Sequence, residues 1–515
     1  LSPPPAITTI AKPGAFRNKK VGIIGAGLAG LASAYELRKL GFDITIFEAN
    51  EERIGGRVYT YYFDKAKNLY GEFGAMRIPV IHETVWHYIN LFKLPTRTFI
   101  QSNKNAFIYL RNVRVRNDPS GYNVMKYIYP HYNLSPIERT MSWQQLTYKG
   151  IESHLLYADP VQRAEIIQVK PSYSYYPLLW NRYDTRKMME FAGLSEDAIN
   201  LVSSLSPLMS GNLYNSYIDL VQENYPADLT FLYEIPGGLS RLPLSFYNAL
   251  LDKNGGKNNG NAYPGIDIRD LGRVSIKMGC PVKGIYLNEN NNQVILEYTN
   301  KQFGTNRENF DFVVCAIPFS CLRTIEIQPL FSSIKMQAIK EVNYTTAQKI
   351  LILFKRRFWE SGGPDEQIIG GGSYTDLPLA SIWYPSDHAD KCRDYIDFAM
   401  HNKPCYSLHF PENQKNSYAM EPGVLVASYN FNLDARRLTN LPENYIYIEI
   451  IRELEKVHGL PKGYLDNIAG PMKTINWDEE PWTRGALCFF APEQKRLFSY
   501  QMAMPEYSGR VFFAG

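Results

Sequence analysis

The chain of 515 residues holds only six cysteines, and none stands in a C-x-x-C pair or in a Cys/His cluster with metal-ligand spacing. Structural zinc is therefore not expected, and no metal site is assigned. No apolar run reaches the length that spans a bilayer; the longest, "VVCAIPFSCL" and "KILILF", are the size of strands. A sustained basic run is missing too, the net charge of +4 being spread along the chain, so neither membrane nor nucleic acid is an expected partner. Histidine is scarce, at eight, and there is no Ser/His/Asp set, His-Glu-x-x-His or phosphate-transfer loop. The chain also opens without methionine, at Leu1 and "SPPPAITT". From this a secreted or otherwise processed product is expected.

What is present is an ordinary globular balance, 45% hydrophobic and 21% charged residues, in a length that allows two or three cores. Residues 20–48 read as strand, tight turn, helix and strand: "KKVGIIG" is a buried strand, Leu28, Leu31, Leu37 and Leu40 recur at helical spacing, and "DITIFEA" is a second apolar run. Residues 119–225 carry helix signals, including Ser195 as an N-cap before Glu196 and Asp197. "EIPGGLSRLPLSFYNAL" reads as a glycine turn and helix, and "LDKNGGKNNGNAYPG" as an exposed loop. "PVKGIYLN" and "QVILEYTN" form a hairpin signal, expected with "FDFVVCAIP" to return to the first sheet. "AQKILILFKRRFW" and "GVLVASYNF" predict a second sheet, and "GRVFFAG" a last buried strand.

The first of these units carries chemistry. Gly25-x-Gly27-x-x-Gly30 lies between strand and helix, and Glu48 ends the next strand. The glycines permit the turn, the approach of a pyrophosphate and close helix packing, while Glu48 accepts bonds from a ribose. An acid at that place repels a 2′-phosphate, which argues against NADP. "ERIGGRVYT" follows, where Gly55 and Gly56 allow a second backbone approach and Arg57 offers a cation to a diphosphate. A further arginine, Arg77, stands among small and apolar residues in "GEFGAMRIP". Its planar fork suits a bound carboxylate, although an ordinary ion pair at a strand end would also account for it.

Taken together, the dinucleotide motif, the acid and the G-G-R segment resemble the flavin amine oxidases, and the likeness is greatest to their L-amino acid oxidases. The resemblance implies an α/β fold with three parts. A discontinuous Rossmann-like FAD-binding domain would comprise 17–64, 235–320 and 460–515. A mixed-sheet substrate-binding domain would comprise 65–118, 226–234 and 321–459, and a helical domain 119–225. FAD is the implied cofactor, held by the glycines, Glu48, Ala49, Arg57 and the backbone at Val282, with the "GAMR" segment, Gly74, Ala75, Met76 and Arg77, passing beside the flavin. The resemblance makes Arg77 the carboxylate anchor and Tyr429 its partner. It makes Lys349 the holder of a water near the flavin, and places Trp477 beside the flavin and Leu487 on the side-chain pocket. Gln222, Glu223 and Pro226 fall near the family's specificity segment. Family members continue beyond the position of Gly515 into a glutamate and helix at the cofactor.

The implied reaction is oxidative deamination of an L-amino acid by dioxygen to a 2-oxo acid, ammonia and hydrogen peroxide. An amino acid 2-monooxygenase, which yields an amide, and a flavin-binding scaffold without activity are the alternatives. A homodimer is the default assembly.

Overall fold

Residues 20–47 show most directly how sequence becomes structure. The strand β1 (Lys20–Ile24) buries four of its five residues, as a strand covered on both faces must. The helix α1 (Leu28–Lys39) turns Leu31, Ala34 and Tyr35 into the core. β2 (Asp43–Phe47) returns parallel to β1 and buries Ile44, Ile46 and Phe47. In the computed structural model, which describes residues 5–224, 231–252, 262–290, 292–389, 418–438 and 441–515, this unit is the centre of a five-stranded parallel sheet. The order is Val274–Lys277, β2, β1, Phe312–Cys315, Val511–Phe513. Parallel neighbours cannot be joined by tight turns, so the sheet draws its strands from distant parts of the chain. The last strand is not fully buried as expected. It lies at the sheet's edge, where Phe512 is 41% exposed.

The hairpin is present but does not return to the first sheet. It builds a second one, in the order Gly304–Phe310, Gln293–Asn300, Val282–Asn288, Glu326–Gln328. The reason is visible in its burial: Gln293–Asn300 alternates buried and half-exposed residues, the mark of a strand covered on one face. Leu296 and Phe310 from this sheet lie over β1 at Gly22, where a Cβ would stand 2.8 Å from Leu296. The loop read from "LDKNGGKNNGNAYPG" lies mostly outside the described residues.

A third sheet has seven strands, in the order Ala469–Asn476, Ala347–Phe354, Gly423–Phe431, Ser381–Trp383, Gly372–Thr375, Phe107–Leu110, Val113–Arg116. One face packs on the helix Glu443–His458, with Ile350, Ile352 and Leu425 against Ile450, Leu454 and Val457. Beside it Arg357 bonds both Glu360 (3.0 Å) and Asp387 (2.7 Å), supplying the charge that a cation between these carboxylates would bring. Between 119 and 224 the described structure holds helices, packed around Trp180, Leu201 and Tyr217. Ser195 accepts a bond from the Ala198 N–H and so caps Glu196–Ser204. We propose the three-part division expected from the sequence, with one transfer. Ala469–Asn476 pairs along Ala347–Phe354 and so belongs to the seven-stranded sheet, a fact that hydrophobic runs do not reveal. Among the described residues no helix is long and apolar enough to cross a membrane.

One buried cation ties α1 to the helix Arg241–Leu251. Arg38, 7% exposed, donates to the carbonyls of Ala249 (2.8 Å), Leu250 (3.0 Å), Asp252 (3.1 Å) and Gly272 (3.1 Å). The first three are acceptors at the C-terminal end of that helix, where the backbone lacks intrahelical donors and favours positive charge. Arg38→Met keeps most of the stem packing but removes the guanidinium from these carbonyls, of which Ala249 keeps a long bond from the Tyr263 hydroxyl (3.4 Å). We expect a loss of about 3 kcal/mol in urea denaturation; a change under about 0.5 kcal/mol would show that water replaces the guanidinium freely.

Candidate active site

The turn after β1 opens a cleft at the carboxyl ends of the parallel strands. Gly25 has φ +98°, and its N–H bonds the Phe47 carbonyl at 2.8 Å, which fixes the turn across β2. Gly27 is the extended N-cap of α1 and offers no side chain, so the first N–H groups of the helix stay free to meet an anion. The second glycine segment lies directly on the first: the Gly55 N–H bonds the Ala26 carbonyl at 2.8 Å, and Gly27 bridges Gly55. A Cβ on Gly27 would meet nothing nearer than the Gly56 Cα at 3.9 Å, so what it would fill is the cleft itself. On Gly30 it would stand 2.0 Å from the Gly25 carbonyl. Gly30 is thus needed for packing and Gly27 for room.

Glu48 sits at the cleft wall, 8% exposed, with one oxygen bonded by the Ala26 N–H and the other by the Asn50 N–H, both at 2.8 Å. Burial pushes its carboxyl up from the usual glutamate range, against the pull of these donors. Each oxygen keeps a second lone pair for a ribose hydroxyl. Ala49, Arg57, Val282 and Gly515 line the same cleft. So do residues that sequence reasoning passed over, among them Arg53, Trp482 and Arg484. Arg53, four residues before Arg57 in "ERIGGR", packs its guanidinium 4.2 Å over Tyr59 and donates to the Gly56 carbonyl, bracing the loop. The residues present therefore fit a dinucleotide: open backbone donors at a helix N-terminus, an acid for a ribose and cations at the rim.

From this cleft the chain runs on to Arg77. The N–H groups of Phe73 and Gly74 both bond the Tyr59 carbonyl. A Cβ on Gly74 would lie 1.9 Å from the Arg57 carbonyl, so its glycine serves close backbone packing. Lys349, 1% exposed, donates to the carbonyls of Glu72 (3.2 Å) and Gly74 (2.6 Å) and clamps the segment from the other side. Burial holds its ammonium well below the usual lysine range and pushes the neighbouring Glu72 carboxyl up. Glu72 is held by the Leu239 N–H (2.6 Å) and the Thr60 hydroxyl (2.8 Å). Trp477, 3% exposed, donates its indole N–H to the Phe73 carbonyl at 3.2 Å. Arg77 itself is half-buried, bonds Gln101, and lies 5.6 Å from the Trp383 ring. Among the described residues it forms no ion pair.

Tyr429 stands opposite Lys349 in the sheet, with the lysine nitrogen 4.3 Å from its ring. Burial pushes its hydroxyl up to about 12, with Arg77 pulling the other way. The structure thus brings Arg77, Lys349, Tyr429 and Trp477 around one segment. Met76 is buried in a core with Phe99, Leu232 and Trp383 against which Tyr429 also packs, whereas other assignments separate: Ala75 is exposed. Gln222 is bonded by the buried Lys495, while the Glu223 carboxylate is close enough to act on Tyr429. Leu487 is 39% exposed opposite Thr345; Ala486 before it packs with Trp477. Pro226 lies outside the described residues.

A model of the flavin containing amine oxidoreductase family matches residues 28–515. The chain is 29% identical over 511 residues to an L-amino-acid oxidase of Vipera ammodytes ammodytes, covering 96% of this chain and 87% of the relative. It is 28% identical to L-amino-acid oxidase apoxin-1 of Crotalus atrox, covering 96% and 82%. Its fold is similar to that of wild-type putrescine oxidase bound to putrescine, with a TM-score of 0.66 at 16% identity over 96% of this chain and 92% of that one.

The two glycines make separable predictions. Gly27→Val leaves the fold intact, with a melting temperature within about 2 °C of the parent apoprotein, but lowers flavin retention on a desalting column at least about tenfold. Gly30→Ala lowers the melting temperature itself, because its Cβ has no space. Normal flavin content in Gly27→Val would remove the cleft from the account.

Proposed function

Because the chain belongs to the flavin-containing amine oxidoreductases, with FAD as its cofactor, we propose that it is an L-amino acid oxidase, converting an L-amino acid and dioxygen to a 2-oxo acid, ammonia and hydrogen peroxide. The observation that carries this reading is the Arg77 guanidinium, half-buried against Trp383 and without a carboxylate partner among the described residues. A cation left unpaired in a partly dry site costs stability unless a ligand brings the anion. A substrate carboxylate does so, and the planar fork fixes its orientation through two parallel bonds.

Bound FAD supplies the two-electron oxidation at the Cα–N bond, and dioxygen takes up the electrons. In this reading the chain's own residues bind and orient. Arg77 and Tyr429 hold the carboxylate, which fixes where the Cα–H bond points. The guanidinium also favours the neutral form of a nearby substrate amine. In its ammonium form Lys349 spends two donors on the Glu72 and Gly74 carbonyls and keeps a third N–H for a water. Trp477, packed with Phe73 and Ala486, keeps bulk water from the segment. Glu223 bears on side-chain preference from the Tyr429 side. The released imine hydrolyses in water. Secretion and a homodimeric assembly belong to the same proposal.

Arg77→Met tests it. With the best L-amino acid, kcat/KM should fall about a hundredfold or more, since both binding and orientation are lost. Arg77→Lys should recover only part, because an ammonium keeps the charge without the fork. The wild type should release peroxide and 2-oxo acid in equal amounts and no amide. If the decarboxylated amine is oxidised as well as the amino acid, and Arg77→Met changes neither, the chain is an amine oxidase instead.

A further inference from the structure

The seven-stranded sheet presents one face to Arg77, and its register shows which side chains share that face. Lys349 lies opposite Tyr429, Val426 opposite Trp383, and Ser381 opposite Tyr374. Directly opposed residues point to the same side, as do Ser381 and Trp383 two positions apart. The bulge between Ile350 and Leu351 brings Val426 and Tyr429 to a common side as well, where both pack with Met76 and Trp383. Tyr374 belongs to the same group. Its ring meets Trp383 edge-on with centroids 6.1 Å apart, and Trp383 in turn lies beside the Arg77 guanidinium.

Tyr374 and Tyr429 share a second property. Neither hydroxyl bonds to a protein group among the described residues, and neither is sealed away from solvent-sized space. Buried phenols ordinarily find a partner. Here two half-buried phenols, in strands separated by Ser381–Trp383, stand around one guanidinium that also lacks an anion. The Arg77 charge acts on both hydroxyls.

We propose that Tyr374 is a second phenol donor to the substrate carboxylate, so that the acid group is gripped by Arg77 with a tyrosine on either side of Trp383. This rests on reading Arg77 as the carboxylate anchor and goes beyond it by naming a residue in "GGGSYTDLP" that no motif singled out. A carboxylate has about four lone-pair positions, of which a guanidinium fork uses two. Two hydroxyls fill the rest. Trp383 serves as the wall that keeps the three donors apart and dry.

The test compares Tyr374→Phe, Arg77→Met and the double variant as flavin-loaded enzymes. Steady-state rates are measured with the best L-amino acid and with its decarboxylated amine. Tyr374→Phe should lower kcat/KM for the amino acid about tenfold, mainly through KM, and leave the amine within about twofold. In the double variant the loss should be less than the product of the two single losses, because both residues act on one group. If Arg77→Met is severe while Tyr374→Phe stays within twofold for the amino acid, the Tyr374 assignment is overturned and the anchor reading stands. If Arg77→Met is also without effect, the anchor reading falls with it. Equal losses for amino acid and amine in Tyr374→Phe would make Tyr374 a packing residue and likewise overturn the proposal.

Discussion

The contact on which the site depends is backbone laid against backbone. Residues 55–56 rest on 26–27, joined by the Gly55 bond to the Ala26 carbonyl, and residues 73–74 rest on 57–59 through the Tyr59 carbonyl. The second layer requires a glycine, because a Cβ on Gly74 would stand 1.9 Å from the Arg57 carbonyl, while in the first a Cβ on Gly56 would come within 3.3 Å of the Gly27 Cα. Through these layers the dinucleotide cleft and the Arg77 segment form one stack. Lys349 closes it from the seven-stranded sheet by bonding the carbonyls of Glu72 and Gly74. A shift of the first layer would therefore be felt at the last, which is what holding a cofactor and a substrate in register requires.

Charge is arranged on this stack in a way that packing alone does not explain. Lys349 and Glu72 are both buried, and each is pushed toward its neutral form. Arg77, a residue that holds its charge under all ordinary conditions, is left facing the Trp383 ring and Gln101. Elsewhere the fold pairs its buried cations closely, as Arg357 with Asp387 and Arg38 with four carbonyls. Arg77 has the single neutral partner Gln101 among the described residues, fewer than the four carbonyls of Arg38, and a bound anion would supply what Arg357 finds in Asp387.

The parts of this arrangement that were legible in the sequence are those written in consecutive residues. Gly25, Gly27, Gly30 and Glu48 have roles set by a turn, a helix start and a strand end within thirty positions, and Arg77 is conspicuous against its own neighbours. Ser195 announces its helix in the same way. What was not legible depends on strand pairing. Tyr374 and Trp383 reach the Arg77 face through a register that sequence does not display, and Ala469–Asn476 joins the mixed sheet through pairing with Ala347–Phe354. The hairpin is legible but its sheet is not, since alternation in Gln293–Asn300 shows one covered face without saying which surface covers it. Gln222 stands beside Glu223 and yet turns to Lys495, because neighbours in sequence point to different sides.

The central claim is that Arg77 faces a carboxylate, and ligand binding to the oxidised flavoprotein tests it without any turnover. Two fragments of the best substrate would be titrated against its visible absorption: the acid that lacks the amino group and the amine that lacks the carboxylate. The account predicts that the acid gives a saturable spectral change and competes with the substrate, while the amine at the same concentration does neither. Tight binding of the amine together with indifference to the acid would contradict it.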